Sequence, residues 1–190
     1  WVANQIALKK AVAETGATKI ITFHSRVNYA KRFSGNEADG ICSFLKDFTV
    51  NHVNGQQKTS QRKELLMQFR KAAKGLVTNA RCLTEGVDLP AVDMVAFIDP
   101  KKSKVDIAQA TGRAMRKPAD SGKTLGYIVV PLYVQLTDNE TVEDAVEHSD
   151  FMEVATVLNA LKDQDDDLVD IIREIQEQRG KKGRLSWRRL

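Results

Sequence analysis

The chain has 190 residues, 42% hydrophobic and 28% charged, with a formal net charge of +4. That length supports little more than one domain, and the balance is ordinary globular usage, which excludes disorder and collagen. No run approaches the roughly 18 apolar residues of a membrane span, so no membrane partner is expected.

In chain order, Ala3 to Glu14 has apolar residues at helical spacing and ends at Thr15-Gly16, a helix stop. Lys19 to His24 is a short β-branched run that predicts a buried strand. Val27 to Asp47 is amphipathic and predicts mostly helix, with a break near Ser34-Gly35-Asn36 and Gly40 as a candidate for a second. Phe48 to Val53 predicts the next strand, closed by Asn54-Gly55. A helix follows over Ser60 to Ala73, with Leu65, Leu66 and Phe69 on its apolar face. Gly75 to Thr78 and Val92 to Ile98 are the third and fourth strands. Ser103 and Asp106 resemble a capping box that opens a helix through Lys117, and Leu125 to Pro131 is a fifth strand. Phe151 to Leu161 and Leu168 to Gln178 are two further helices.

Strands separated by helices of this length imply an open parallel α/β sheet with helices on both faces. The expected division is an α/β domain over 1–135 and a helical appendage with a basic tail over 136–190. The start at Trp1, without a signal peptide, reads as a piece of a longer protein. Cys42 and Cys82 match no metal or redox spacing and read as reduced thiols, hence a cytoplasmic location. His24, His52 and His148 are scattered and read as structural.

Charge is unevenly placed. Thr137 to Asp170 holds 12 acidic residues and one basic, while Arg179 to Leu190 holds six basic residues and no acidic one. Lys101 to Lys123 has seven basic against two acidic. Such segregation fits an anionic partner or simply a solvated surface.

An open parallel sheet binds its ligand at the carboxyl ends of its strands. Around Lys101 to Lys123, Gln109, Arg113 and Arg116 are spaced by four and three residues, so on a helix their side chains share one face. Two always-charged guanidinium forks there suit a polyphosphate, and Gly112 between them suits close approach to the backbone. A solvated basic face with a small residue for packing explains the spacing equally. The polar stretch Thr78-Asn79 to Pro90 follows a strand and is a loop at the ligand-binding edge, or an ordinary β–α loop in which Gly86 meets a backbone need and Asp88 caps. His24-Ser25-Arg26 lies where a strand gives way to a helix, a place suited to phosphate, although Ser25 taken alone reads as a plain N-cap.

Together, Gln109-x-x-Gly112-Arg113-x-x-Arg116, the Thr78…Thr84-Glu85-Gly86-Val87-Asp88-Leu-Pro90 segment and Ile20 to Arg26 resemble motifs VI, V and IV of the second RecA-like domain of superfamily 2 helicases, in order. The resemblance covers roughly 13–134 and implies a RecA-like, P-loop NTPase-like fold. It implies that this domain closes on a first RecA-like domain of the same parent chain across ATP, whose magnesium the first domain mainly holds. Arg113 and Arg116 would reach the γ-phosphate, one as arginine finger, with Gln109 orienting it. Gly86, Asp88 and Gly112 would lie against the nucleotide, and Ser25 or Arg26 with Thr78 and Asn79 would meet the nucleic-acid backbone. The form of motifs V and VI resembles bacterial restriction-and-defence DNA helicases more than DEAD-box RNA helicases, which usually carry His where this chain has Gln109. DNA is therefore favoured over RNA as the partner.

Ser121-Gly122-Lys123-Thr124 imitates a phosphate loop, but Lys117 occupies the place of its first glycine, and the residues after it read as a strand rather than a helix. The fragment alone is therefore expected not to hydrolyse ATP. The rivals are a non-catalytic nucleic-acid or protein binding module derived from a helicase, and a self-contained nucleotide-binding enzyme using Lys123 and Thr124.

Overall fold

The computed structural model describes residues 2–80, 92–99 and 126–131. Its elements are α1 (Val2–Thr15), β1 (Lys19–His24), α2 (Val27–Phe33), a 3-10 turn (Ile41–Ser43), β2 (Thr49–Asn54), α3 (Thr59–Lys71), β3 (Gly75–Ala80), β4 (Met94–Asp99) and β5 (Tyr127–Val129). The β-branched runs form one five-stranded sheet in the order β2-β3-β1-β4-β5, and every pairing is parallel.

Alternate residues of a strand face opposite sides. One side presents Ile20, Leu76, Met94, Ala96 and Ile98, which pack with Leu8 of α1 and Phe33 of α2. The other side carries Phe23 stacked on Phe97, with ring centroids 5.5 Å apart. It is met by α3, whose Leu66 and Phe69 are buried and whose Leu65 carbonyl accepts from Asn51 Nδ2 at 3.4 Å. Helices thus cover both faces, as the alternation of elements predicts.

Three details depart from the sequence reading. The helix from Val27 ends at Phe33, beside the expected break at Ser34-Gly35-Asn36, but beyond it the chain returns only as the 3-10 turn and not as helix through Asp47. The chain between folds back on itself so closely that a Cβ on Gly40 would lie 2.0 Å from the Gly35 carbonyl oxygen, an approach only glycine permits. β3 runs two residues beyond Thr78, because Asn79 and Ala80 still have partners in Phe23 and His24. In α1 the buried positions include Asn4 and Gln5, while Val2 and Ile6 are exposed. The Gln5 amide earns its interior place by donating to the Asp39 carbonyl at 2.5 Å.

The helix stop at Gly16 is as expected: its φ of 69° is left-handed, and its N–H returns to the Val12 carbonyl at 2.9 Å. At the amino end of the sheet, one oxygen of Asp93 accepts from the Thr18 amide, the Thr18 hydroxyl and the Lys19 amide, each at 2.8 Å. The Lys19 ammonium in turn meets the Phe69, Arg70 and Ala72 carbonyls at the end of α3. Partial burial pulls this ammonium below its ordinary pKa, opposed by the Asp93 carboxylate. No helix among the described residues is long and apolar enough to cross a membrane. The expected 103–117 helix and the 136–190 appendage lie outside the described residues.

Candidate nucleic-acid interface

Parallel strands place all their exits on one edge of the sheet. β1 ends at His24, beside Ala80 of β3 and Asp99 of β4, with a register shift between Phe23 and His24 that brings Asp99 rather than Ile98 opposite His24. Ser25 is the first residue beyond the strand, half-buried, and its hydroxyl donates to Asp99 Oδ2. The N-cap of α2 is Arg26, in extended conformation with no side-chain cap bond, so the N-cap reading of Ser25 is corrected: the nearby carboxylate takes the hydroxyl instead. Arg26 is exposed, and its guanidinium stands 5.2 Å from the centre of the Tyr29 ring.

Thr78 and Asn79 sit differently from their expected role. Both belong to β3 and are 0% and 1% exposed. The Thr78 hydroxyl lies 2.8 Å from His52 Nδ1 on the neighbouring strand. Two more parallel pairings keep the strand going past the point where the sequence reads as loop, and this carries both side chains into the interior. Ser25 and Arg26 thus stand at the strand exit, whereas the Thr78 and Asn79 side chains are enclosed within the sheet layer.

A polar cluster that the sequence does not advertise lines the same edge. His24 is buried, with Nε2 2.9 Å from the Thr22 hydroxyl and its ring 5.0 Å from that of Phe33. Its Nδ1 has no hydrogen-bond partner among the described residues. Burial first, and the proximity of His52 second, pull its pKa down to about 3, so it is neutral at physiological pH. His52 is lowered too, by burial and then by the positive Lys31, against a contribution from Thr78 that favours the charged form.

Beyond β2, Asn54 Oδ1 accepts from the Gln56 amide at 2.8 Å, the Gln57 side chain bonds both the Asn54 amide and the His52 carbonyl, and the Gln57 carbonyl accepts from Arg62 at 2.6 Å. A second Arg62 nitrogen reaches the Thr59 hydroxyl at 3.3 Å. The turn is thus pinned to the sheet on one side and to the first turns of α3 on the other. Its only sequence signal is Asn54-Gly55, a turn mark that says nothing of these bonds. No group of His, Cys, Asp and Glu among the described residues is placed to hold a metal. Gly86, Asp88, Gln109, Gly112, Arg113 and Arg116 lie outside the described residues, as do Cys82, Lys123 and Thr124.

Residues 4–118 match the model of the helicase conserved C-terminal domain. The ATP-dependent RNA helicase HAS1 of Debaryomyces hansenii is 30% identical over 110 residues, 58% of this chain and 18% of that protein. Its counterpart in Saccharomyces cerevisiae is 28% identical over 110 residues, 58% of this chain and 21% of that protein. The chain thus spans about a fifth of the length of these curated relatives.

Among solved structures, the ATP-dependent Type ISP restriction-modification enzyme LlaBIII bound to DNA aligns with a TM-score of 0.72 at 26% identity, covering 92% of this chain and 12% of that one. The C-terminal domain of the DEAD-box protein Dbp5 shares the fold, with a TM-score of 0.53, 17% identity and 92% of each chain covered. With the match extending over more than half its length, the chain belongs to the helicase conserved C-terminal domain family, and its sheet is that of a second RecA-like domain of superfamily 2 helicases.

Proposed function

We propose that this chain is the second motor domain of an ATP-dependent DNA helicase or translocase, and that it completes a catalytic centre whose other half lies on a first RecA-like domain of the parent protein. One observation carries the reading: the family match over 4–118 encloses Gln109-x-x-Gly112-Arg113-x-x-Arg116, two permanent cations and an amide at helical spacing. That donor set has the charge and fork chemistry for a triphosphate, and Gly86 and Asp88 of the resembled fifth motif would supply backbone approach and one acceptor.

Magnesium-ATP supplies the phosphoryl group to be cleaved, with the metal held mainly by the first domain. The contribution of this chain is electrostatic. Arg113 and Arg116 offset the charge that develops on the γ-phosphate, Gln109 orients them, and Gly112 admits the ligand to the backbone. Positioning and charge stabilisation dominate phosphoryl transfer, and an arginine finger contributes on the order of 10³-fold or more. Ser25 and Arg26 meet the nucleic-acid backbone at the exit of β1, so binding is largely independent of sequence and strongly dependent on salt. Domain closure on ATP and reopening after hydrolysis move this grip along the strand. By itself the chain does not turn over ATP, and the protein works in the cytoplasm.

The preference for DNA rests on the form of motifs V and VI and on the likeness to a DNA-bound restriction-modification enzyme. The HAS1 proteins are RNA helicases, so the polymer must be part of the test. Steady-state ATPase of the full-length parent is measured with single-stranded DNA, duplex DNA and RNA, for wild type and Arg116→Ala. The expected result is DNA-stimulated turnover that falls by about a hundredfold or more in the variant while ATP still binds. Turnover indifferent to Arg116 would remove the finger. No turnover with any polymer would favour a non-catalytic binding module, and better stimulation by RNA would reassign the substrate.

A further inference from the structure

We propose that His52 is a positioning residue, locked as one neutral tautomer, which ties the buried Thr78 hydroxyl to the turn after β2 and thereby holds Arg62 where the carboxyl edge of the sheet meets a phosphate. The last step rests on the nucleic-acid reading above; the tautomer does not.

The tautomer follows from the bonds around it. Asn54 Oδ1 is fixed as an acceptor by the Gln56 amide at 2.8 Å, so its Nδ2 is the atom that faces His52 Nε2 at 3.0 Å. An amide NH₂ only donates, so Nε2 must accept and carries no proton. The proton of the neutral ring therefore sits on Nδ1, from which it is donated to Thr78 Oγ1 at 2.8 Å. Adding a second proton would set N–H against N–H and break the link to Asn54. The surroundings point the same way: burial first, and the Lys31 ammonium of α2 second, disfavour a charge on this ring.

The ring itself reaches the turn through the Asn54 side chain, whose Oδ1 takes the Gln56 amide, and the backbone of His52 holds the same turn. The His52 carbonyl accepts from Gln57 Nε2 at 3.1 Å, Gln57 Oε1 accepts from the Asn54 amide at 3.0 Å, and the Gln57 carbonyl accepts from Arg62 Nη1 at 2.6 Å. Arg62 is half-buried, and these bonds to Gln57 and Thr59 each use one terminal nitrogen. A guanidinium has five N–H groups, so donors remain for an anionic oxygen. Fixing a fork in advance reduces the ordering cost of binding. Thr78 in β3 and the turn that carries Arg62 are in this way joined through His52, by its ring on Thr78 and Asn54 and by its carbonyl on Gln57.

The test has two arms on the 190-residue chain. Long-range ¹⁵N–¹H spectra at pH 7.5 are expected to show His52 with a protonated Nδ1 and a bare Nε2; an Nε2-protonated ring would overturn the proposal. Binding of a labelled oligo(dT) is then measured for wild type, His52→Phe, Arg62→Ala, Gln57→Ala and the His52→Phe/Arg62→Ala double variant, with thermal unfolding followed in each. The single variants are expected to weaken binding by about tenfold, and the double variant by no more than the single Arg62→Ala. Multiplying losses, or full affinity in His52→Phe, would overturn the proposal. If His52→Phe unfolds, Gln57→Ala at the turn decides by the same comparison. Wild type that fails to bind oligo(dT) while showing the expected ring spectrum would defeat the nucleic-acid step and leave the tautomer standing.

Discussion

Acidification provides a direct probe of the buried edge of the sheet. Unfolded His24 titrates near 6.5, whereas in the fold burial and His52 hold it at about 3. The unfolded chain therefore binds the proton first as pH falls, and stability rises with pH across this window. The contribution is whole above about 6.5 and is lost progressively toward about 3. For one such group the loss between pH 7 and pH 5 is about 2 kcal/mol, approaching about 5 kcal/mol at the lower limit. His52, also lowered, adds in the same direction. The perturbation is His24→Leu, which keeps an apolar contact for Phe33 and removes the titrating ring. It also strands the Thr22 hydroxyl, a cost of about 1–3 kcal/mol that does not vary with pH and so cancels in the comparison. Urea unfolding of both proteins at pH 7 and pH 5 gives four free energies. Wild type should lose about 2 kcal/mol more than His24→Leu on acidification. Equal losses in the two proteins would mean that His24 is solvated or charged in the fold.

Two glycines should respond differently to alanine. A Cβ at Gly75 would stand 2.8 Å from Phe69 Cδ2 and 3.1 Å from the Phe69 carbonyl oxygen, so Gly75→Ala should cost about 1–3 kcal/mol by forcing α3 off the sheet. Gly16 has open space but a φ of +69°, so Gly16→Ala should cost only about 1 kcal/mol, and chemical unfolding ranks the two. Asp93→Ala removes the acceptor shared by Thr18 and Lys19 and should lower stability by about 3 kcal/mol, with faster amide exchange at both residues; unchanged exchange would mean water replaces the carboxylate without loss.

The class of fold and its polarity are legible in the chain. Runs such as Lys19–His24 and Gly75–Thr78, with helices between them, leave little but a parallel sheet, since short β-branched segments must be buried and such crossovers run one way. The same patterning places Gly16 at a helix end, and the ordered segments around Ser25, Asp88 and Arg113 carry the resemblance to the helicase family. What depended on neighbours in space was not legible. Thr78 and Asn79 are polar residues at the end of an apolar run, and only pairing with Phe23 and with the strand of His52 keeps them in the sheet. Asn4 and Gln5 are buried because the Ile98 and Asp39 carbonyls, 94 and 34 residues away, accept their amides. Ser25 binds Asp99 across 74 residues rather than capping its own helix. Periodicity reports which face of an element is apolar. The tertiary structure decides which polar groups find partners inside, because hydrogen bonds between distant segments leave no period in the chain.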